Sequence, residues 1–159
     1  MPPESELNRR IATFLFAYFL KQGVPSYQLT LKTEVAVLGS RATVRLPGLI
    51  LLSEDLAISL EVASRSTITL EMPPPRLVVE VVSPGKENED RDYRYKRSEY
   101  GARGIAEYWI VDPMRKQMTV LEWVDGLYEE AVFQETQPIA SPEFPDFSLT
   151  MGQILQGMF

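Results

Sequence analysis

Leu77-Val78-Val79-Glu80-Val81-Val82-Ser83-Pro84-Gly85, a charged segment carrying Asp92, Lys96 and Tyr100, and then Glu107-Tyr108-Trp109-Ile110-Val111-Asp112 form the stretch that decides the fold. Residues 77–83 are apolar apart from Glu80, the pattern of a central strand covered on both faces. Ser83-Pro84-Gly85 ends it, and the segment from about Asn88 to Arg103 reads as a helix closed by Gly101 and Gly104. A strand over Tyr108–Val111 then returns parallel to the first, with the right-handed crossover such units adopt. Glu80 is conspicuous: a lone ionised carboxylate in a buried strand needs a partner, a metal or a proton. Lys96, on the crossing helix, is the natural partner.

Outward from this unit, Glu4-Ser5-Glu6 opens a helix running to about Gln22, with Ser5 as N-cap and Gly23 and Pro25 as stops. Tyr27–Leu38 reads as one strand. Gly39-Ser40-Arg41 turns the chain into an antiparallel return over Ala42–Leu46, which Leu49–Leu52 extends. A short helix is expected over Glu54–Ser64 and a strand over Ser66–Met72, stopped by Pro73-Pro74-Pro75. Met118–Val124 and Tyr128–Phe133 form a hairpin around Asp125-Gly126 on the far edge of the sheet, and Thr150–Gly157 a last helix. The expectation is one α/β domain over residues 1–159, with a mixed central β-sheet flanked by helices.

The 159 residues include no cysteine and no histidine. Disulfides, thiolate sites, imidazole bases and histidine-ligated zinc are therefore excluded, and any metal must be a hard, oxygen-loving ion such as magnesium, manganese or calcium. Sixteen basic against 22 acidic residues give a net charge of −6. That argues against indiscriminate nucleic-acid binding, yet leaves room for a basic cleft assembled in three dimensions. Arg9-Arg10 before the apolar run Ile11–Leu20 looks superficially like a secretion signal. It lacks a small-x-small cleavage site, is preceded by Glu4 and Glu6, and is too short to span a bilayer. The reading is a buried helix of a cytoplasmic protein, with no membrane partner.

Asp92, Lys96 and Tyr100 are four residues apart and share a helical face. By itself that spacing describes an exposed Asp–Lys pair with a packing tyrosine. The helix after a central strand packs over that strand, however, so the same face can reach Glu80. A buried glutamate facing a lysine is either a structural pair or half of a metal-and-water site, and at a sheet edge it suggests metal-assisted phosphodiester chemistry. Tyr108 and Trp109 read as core, and Ser83 as a turn residue, since no base is present to activate it.

Val79-Glu80-Val81-Val82-Ser83-Pro84-Gly85-Lys86, Arg91-Asp92-Tyr93, Lys96, Tyr100, Gly104-Ile105 and Glu107–Pro113 closely resemble the restriction-endonuclease family abundant in photosynthetic bacteria, a branch of the PD-(D/E)XK nuclease superfamily. The resemblance implies a restriction-endonuclease-like core acting on DNA with magnesium or manganese. It places Glu80 as a metal-binding carboxylate in the strand of the Glu-x-Lys element. Val82 stands at the lysine position, and the lysine role passes to Lys96, supported by Asp92 and Tyr100. The family's first carboxylate follows a proline in an Arg-x-Pro-Asp pattern; this chain reads Arg45-Leu46-Pro47-Gly48, so Gly48 occupies the place of the missing aspartate. Metal binding should then be weak and catalysis impaired. Glu34, Glu54 and Glu6 are the carboxylates available as substitutes. The alternative is a non-catalytic module of the same fold that binds nucleic acid or protein. The edge hairpin 118–133 is the candidate surface for a homodimer.

Overall fold

The computed structural model describes residues 5–158; Glu4, expected at the start of the first helix, lies outside them. Helix α1 (Glu6–Lys21) begins where the Ser5 hydroxyl accepts the Asn8 amide at 3.1 Å, with Glu6 in its first turn and Lys21 in its last, each complementing the helix dipole. Ile11, Leu15, Tyr18 and Phe19 recur at helical spacing and form its buried face.

The segment expected as one strand over Tyr27–Leu38 is divided. After Pro25 the chain makes a tight turn over Ser26–Gln28, then β1 (Leu29–Thr30) joins one sheet and β2 (Glu34–Ala36) another. The corner between them is held by the Thr30 and Thr33 hydroxyls, 2.6 Å apart. The hairpin to β3 (Val44–Arg45) forms as expected, but β4 (Leu49–Leu51) does not extend it; β4 leaves for the first sheet and pairs with β1. Pro47, which has no amide proton to give a ladder, stands at the break. Helix α2 (Glu54–Glu61) is capped by Ser53, and β5 (Thr67–Ile68) is shorter than expected, covering only the part of 66–72 that lies parallel to β2.

The decisive unit is as the sequence predicts. Strand β6 (Leu77–Val81) runs into helix α3 (Lys86–Asp90), a π turn (Arg91–Tyr95) and helix α4 (Lys96–Ala102), and β7 (Glu107–Asp112) returns parallel to β6. The π turn, in which the Lys96 amide reaches back to the Arg91 carbonyl, is a feature no helical periodicity shows. Strands β8 (Gln117–Val124) and β9 (Leu127–Gln134) form the edge hairpin, and α5 (Met151–Gln156) closes the described chain behind a Thr150–Gln153 capping box. The main sheet has the order β1-β4-β6-β7-β8-β9, mixed and six-stranded; β3-β2-β5 form a small second sheet.

Alternation along β6 and β7 sends side chains to two cores. Leu77, Val79, Trp109 and Val111 pack with α1 and α5; Val78, Tyr108 and Ile110 pack with Tyr100, α2 and the second sheet. Tyr108 and Trp109 are fully buried, as core residues should be. Glu80 shares the parity of Val78 and Val82, and so stands on the face covered by α4. No helix among the described residues is long and apolar enough to cross a membrane.

Candidate active site

The outer end of that face opens into a cleft of about 980 Å³, lined by the first half of α1, the Pro47-Gly48 corner, the end of β6, the π turn and the lip of the second sheet. Glu80, Asp92, Lys96 and Gly48 all line it. Tyr100 lies just beneath, fully buried. The sequence therefore singled out residues that the fold does bring together. A smaller hollow of about 210 Å³ beside Phe144 and Phe147 holds none of them.

Lys96 is the hub. Its ammonium lies 2.9 Å from Glu80 Oε2 and 3.0 Å from Asp92 Oδ1, and all three residues are buried. The Asp92–Lys96 contact is thus not the exposed pair that spacing alone describes. Tyr100 donates its hydroxyl to Glu80 Oε2 at 2.7 Å, so it supports the glutamate directly. Burial, reinforced by the charge of Glu80, holds the Tyr100 phenol well above its ordinary pKa, which keeps it a donor. Burial pulls the Lys96 ammonium down, but Glu80 and Asp92 outweigh that and hold it above its usual value. The Asp92 carboxyl is pushed up to about 6, by burial first and by Glu80 second, with Lys96 pulling the other way.

The geometry of the triad is fixed from β7. Tyr108 donates to the Asp92 carbonyl at 2.8 Å and Tyr93 to Asp112 Oδ2 at 2.7 Å, pinning the first half of the π turn against the sheet. The sequence did not disclose two further supports. Asn8 donates to the Val81 carbonyl (3.2 Å) and to Ser83 Oγ (3.0 Å), tying α1 to the end of β6 and giving Ser83 its role as an acceptor. Arg45 makes a two-pronged pair with Glu99 on α4, at 2.6 and 3.0 Å. A half-buried Arg gains from such a fork, but its partner lies 54 residues away and no local spacing points to it.

Does this donor set suit a divalent ion? Hard cations take several oxygens, with one or two carboxylates as anchors. Here Glu80 Oε2 already accepts from both Lys96 and Tyr100, and Asp92 Oδ1 accepts from Lys96. Gly48 offers no side-chain oxygen. A Cβ built there would meet only the Val79 carbonyl at 3.5 Å and Ala12 at 3.8 Å, so the corner has room for the aspartate it lacks. Of the substitutes, Glu34 lines the cleft but accepts from Thr67 (3.0 Å) and pairs with Arg65 (3.5 Å). Glu54 lies in the first turn of α2, and Glu6 is exposed and paired with Arg9. No group of three or more acidic, histidine or cysteine side chains among the described residues converges to hold a metal ion. The residues present do not fit a resident magnesium or manganese ion; a lysine ammonium supplies the positive charge instead.

The family model of Uma2, described as "Putative restriction endonuclease", matches residues 1–152. Among solved structures, a "putative nuclease belonging to DUF820" from Anabaena variabilis ATCC 29413 superposes with a TM-score of 0.69 at 12% identity, covering 99% of this chain and 85% of that one. At that identity the likeness speaks for the fold, which is nuclease-like. Among curated proteins none matches the sequence. With the match running across nearly the whole chain and through Glu80, Lys96 and the π turn between the two central strands, the chain belongs to the Uma2 restriction-endonuclease family.

Proposed function

We propose that this protein is a nuclease-fold protein that holds a nucleic-acid strand in the cleft and has lost metal-dependent cleavage at Gly48. The observation carrying the second half is the state of Glu80. Its Oε2 is engaged by Lys96 and Tyr100, and the cleft corner at residue 48 holds glycine where the family pattern has aspartate. The first half is supported by charge. On a chain with a net charge of −6, the cleft is lined by Arg9, Lys32, Arg65, Arg91 and Lys96 against Glu34, Glu80 and Asp92, a local excess of two positive charges. Phosphate neutralisation of that kind underlies sequence-independent binding. Lys96 remains internal, balancing the two carboxylates, while Lys32 and Arg91 form no salt bridge within the described residues and face the cleft.

A plasmid-nicking assay with magnesium or manganese, run beside binding of a fluorescein-labelled DNA duplex at low salt, tests both halves. Wild type binds the duplex and leaves supercoiled plasmid intact, and Gly48→Asp nicks it. Nicking by wild type that Glu80→Ala abolishes would overturn the loss of cleavage; failure of wild type to bind would overturn the nucleic-acid reading. Because the residues present do not fit a resident ion, chelator and millimolar magnesium alike should leave the melting temperature of wild type unchanged, whereas Gly48→Asp should melt higher with magnesium.

A further inference from the structure

Three of the cations that make no salt bridge among the described residues lie together. Arg91 lines the cleft, and Arg94 follows three residues later on the same helical run. Arg41, at the tip of the β2–β3 hairpin, lays its guanidinium 3.7 Å above the ring of Tyr95, and Arg94 lies 5.6 Å from the same ring. None of the three arginines makes a salt bridge among the described residues. The neighbouring acids are largely taken: Asp90 by Lys86 at 2.9 Å, Glu89 by Arg115 at 3.3 Å, Asp92 by Lys96 and Glu99 by Arg45, leaving Glu87 exposed. Arg41 is exposed, so its planar donors radiate into solvent while stacking fixes the plane that carries them.

A stacked arginine is a preorganised fork for a phosphate, because much of the rotamer entropy of the side chain is already spent. Asp90, the carboxylate whose charge Arg41 and Arg94 feel, is itself ion-paired with Lys86. A structural clamp would use the stack alone and be indifferent to the second arginine. We propose that Arg91, Arg94 and Arg41 form a ridge that carries the backbone phosphates of a nucleic-acid strand as it leaves the cleft over the π turn. Tyr95 acts as the support of Arg41 rather than as a platform for a base, since the guanidinium already covers its ring. The proposal rests on the nucleic-acid reading of the cleft and adds the direction in which the strand runs.

The test is anisotropy of fluorescein-labelled DNA, as single strand and duplex, titrated with the full chain over a series of salt concentrations. Arg41→Ala and Arg94→Ala each weaken binding about five- to tenfold at low salt and reduce the salt slope by about one. Tyr95→Leu weakens binding by less and keeps the slope, because the charge remains and only its orientation is lost. Lys21→Ala, at the far end of α1, removes the same charge and binds like wild type. Thermal melts of each variant confirm folding. If wild type binds and the two arginine variants behave like Lys21→Ala, the ridge is overturned while the cleft reading stands. If wild type binds neither DNA, both are overturned.

Discussion

Glu80 and Glu107 are two buried carboxylates on adjacent parallel strands, and their surroundings differ completely. Glu80, 5% exposed, faces a lysine and a phenol at the inner wall of the cleft. Glu107, 1% exposed, points to the opposite core and meets only neutral donors. It accepts from Trp109 Nε1 at 2.7 Å, Ser141 Oγ at 2.7 Å and the Glu143 amide at 2.7 Å. Its environment fastens the 141–143 loop to the sheet. Burial therefore does not distinguish a site from a staple. What distinguishes them is whether the charge is met by a cation at a cleft or by neutral dipoles in the core.

The largest effect expected from breaking this contrast is at Lys96. Lys96→Met leaves Glu80 and Asp92 facing each other without a counter-charge and should cost about 3–5 kcal/mol in urea unfolding. Glu80→Gln placed in the same chain should recover at least about 1 kcal/mol of that, since it removes the charge left unpaired. Glu107→Ala comes next. Three buried donors lose their acceptor, at about 2–4 kcal/mol in total, and Lys96→Met in the same chain adds to the loss without coupling. Additivity between Glu80 and Lys96, or coupling between Glu107 and Lys96, would erase the distinction. Tyr100→Phe removes one hydrogen bond to a charged oxygen and should cost about 1.5–3 kcal/mol, leaving the Glu107 side untouched.

The two carboxylates were also unequally legible in the sequence. Glu80 interrupts an otherwise apolar run and demands an explanation, and the four-residue spacing of Asp92, Lys96 and Tyr100 supplies one. The crossover rule then brings the two together, so the triad follows from local pattern plus topology. Glu107 begins its strand beside Ala106, where a carboxylate looks ordinary, and two of its three partners, Ser141 and Glu143, lie more than 30 residues away in a loop. Arg45 and Glu99 are hidden for the same reason. The π turn is invisible because it adds one residue to a helical turn without changing composition. The break between β3 and β4 was present as Pro47, yet the apolar residues on either side of it read as a single strand. Tertiary pairing decided there, as it did at 27–38, where strands of two and three residues are too short for any alternation to show.

The smallest effect is in pH dependence. Asp92 titrates at about 6 in the folded protein against an ordinary 3.8, so the folded state binds the proton more tightly than the unfolded one. Its contribution to stability is fully present below about 4 and is lost as pH rises through about 6. The stability of wild type relative to Asp92→Asn should therefore increase as pH is lowered from 7 to 4 in urea unfolding. Glu107, raised chiefly by burial, acts in the same direction against its own neutral variant, Glu107→Gln. What separates them is Lys96, which pulls Asp92 down and has no part in the environment of Glu107. In Lys96→Met, the Asp92 step moves to higher pH and the Glu107 step stays where it was, as carboxyl carbon shifts in an NMR titration would record. A common shift of both would mean that the two carboxylates share one field across the sheet, and that the cation at the cleft governs the opposite core as well.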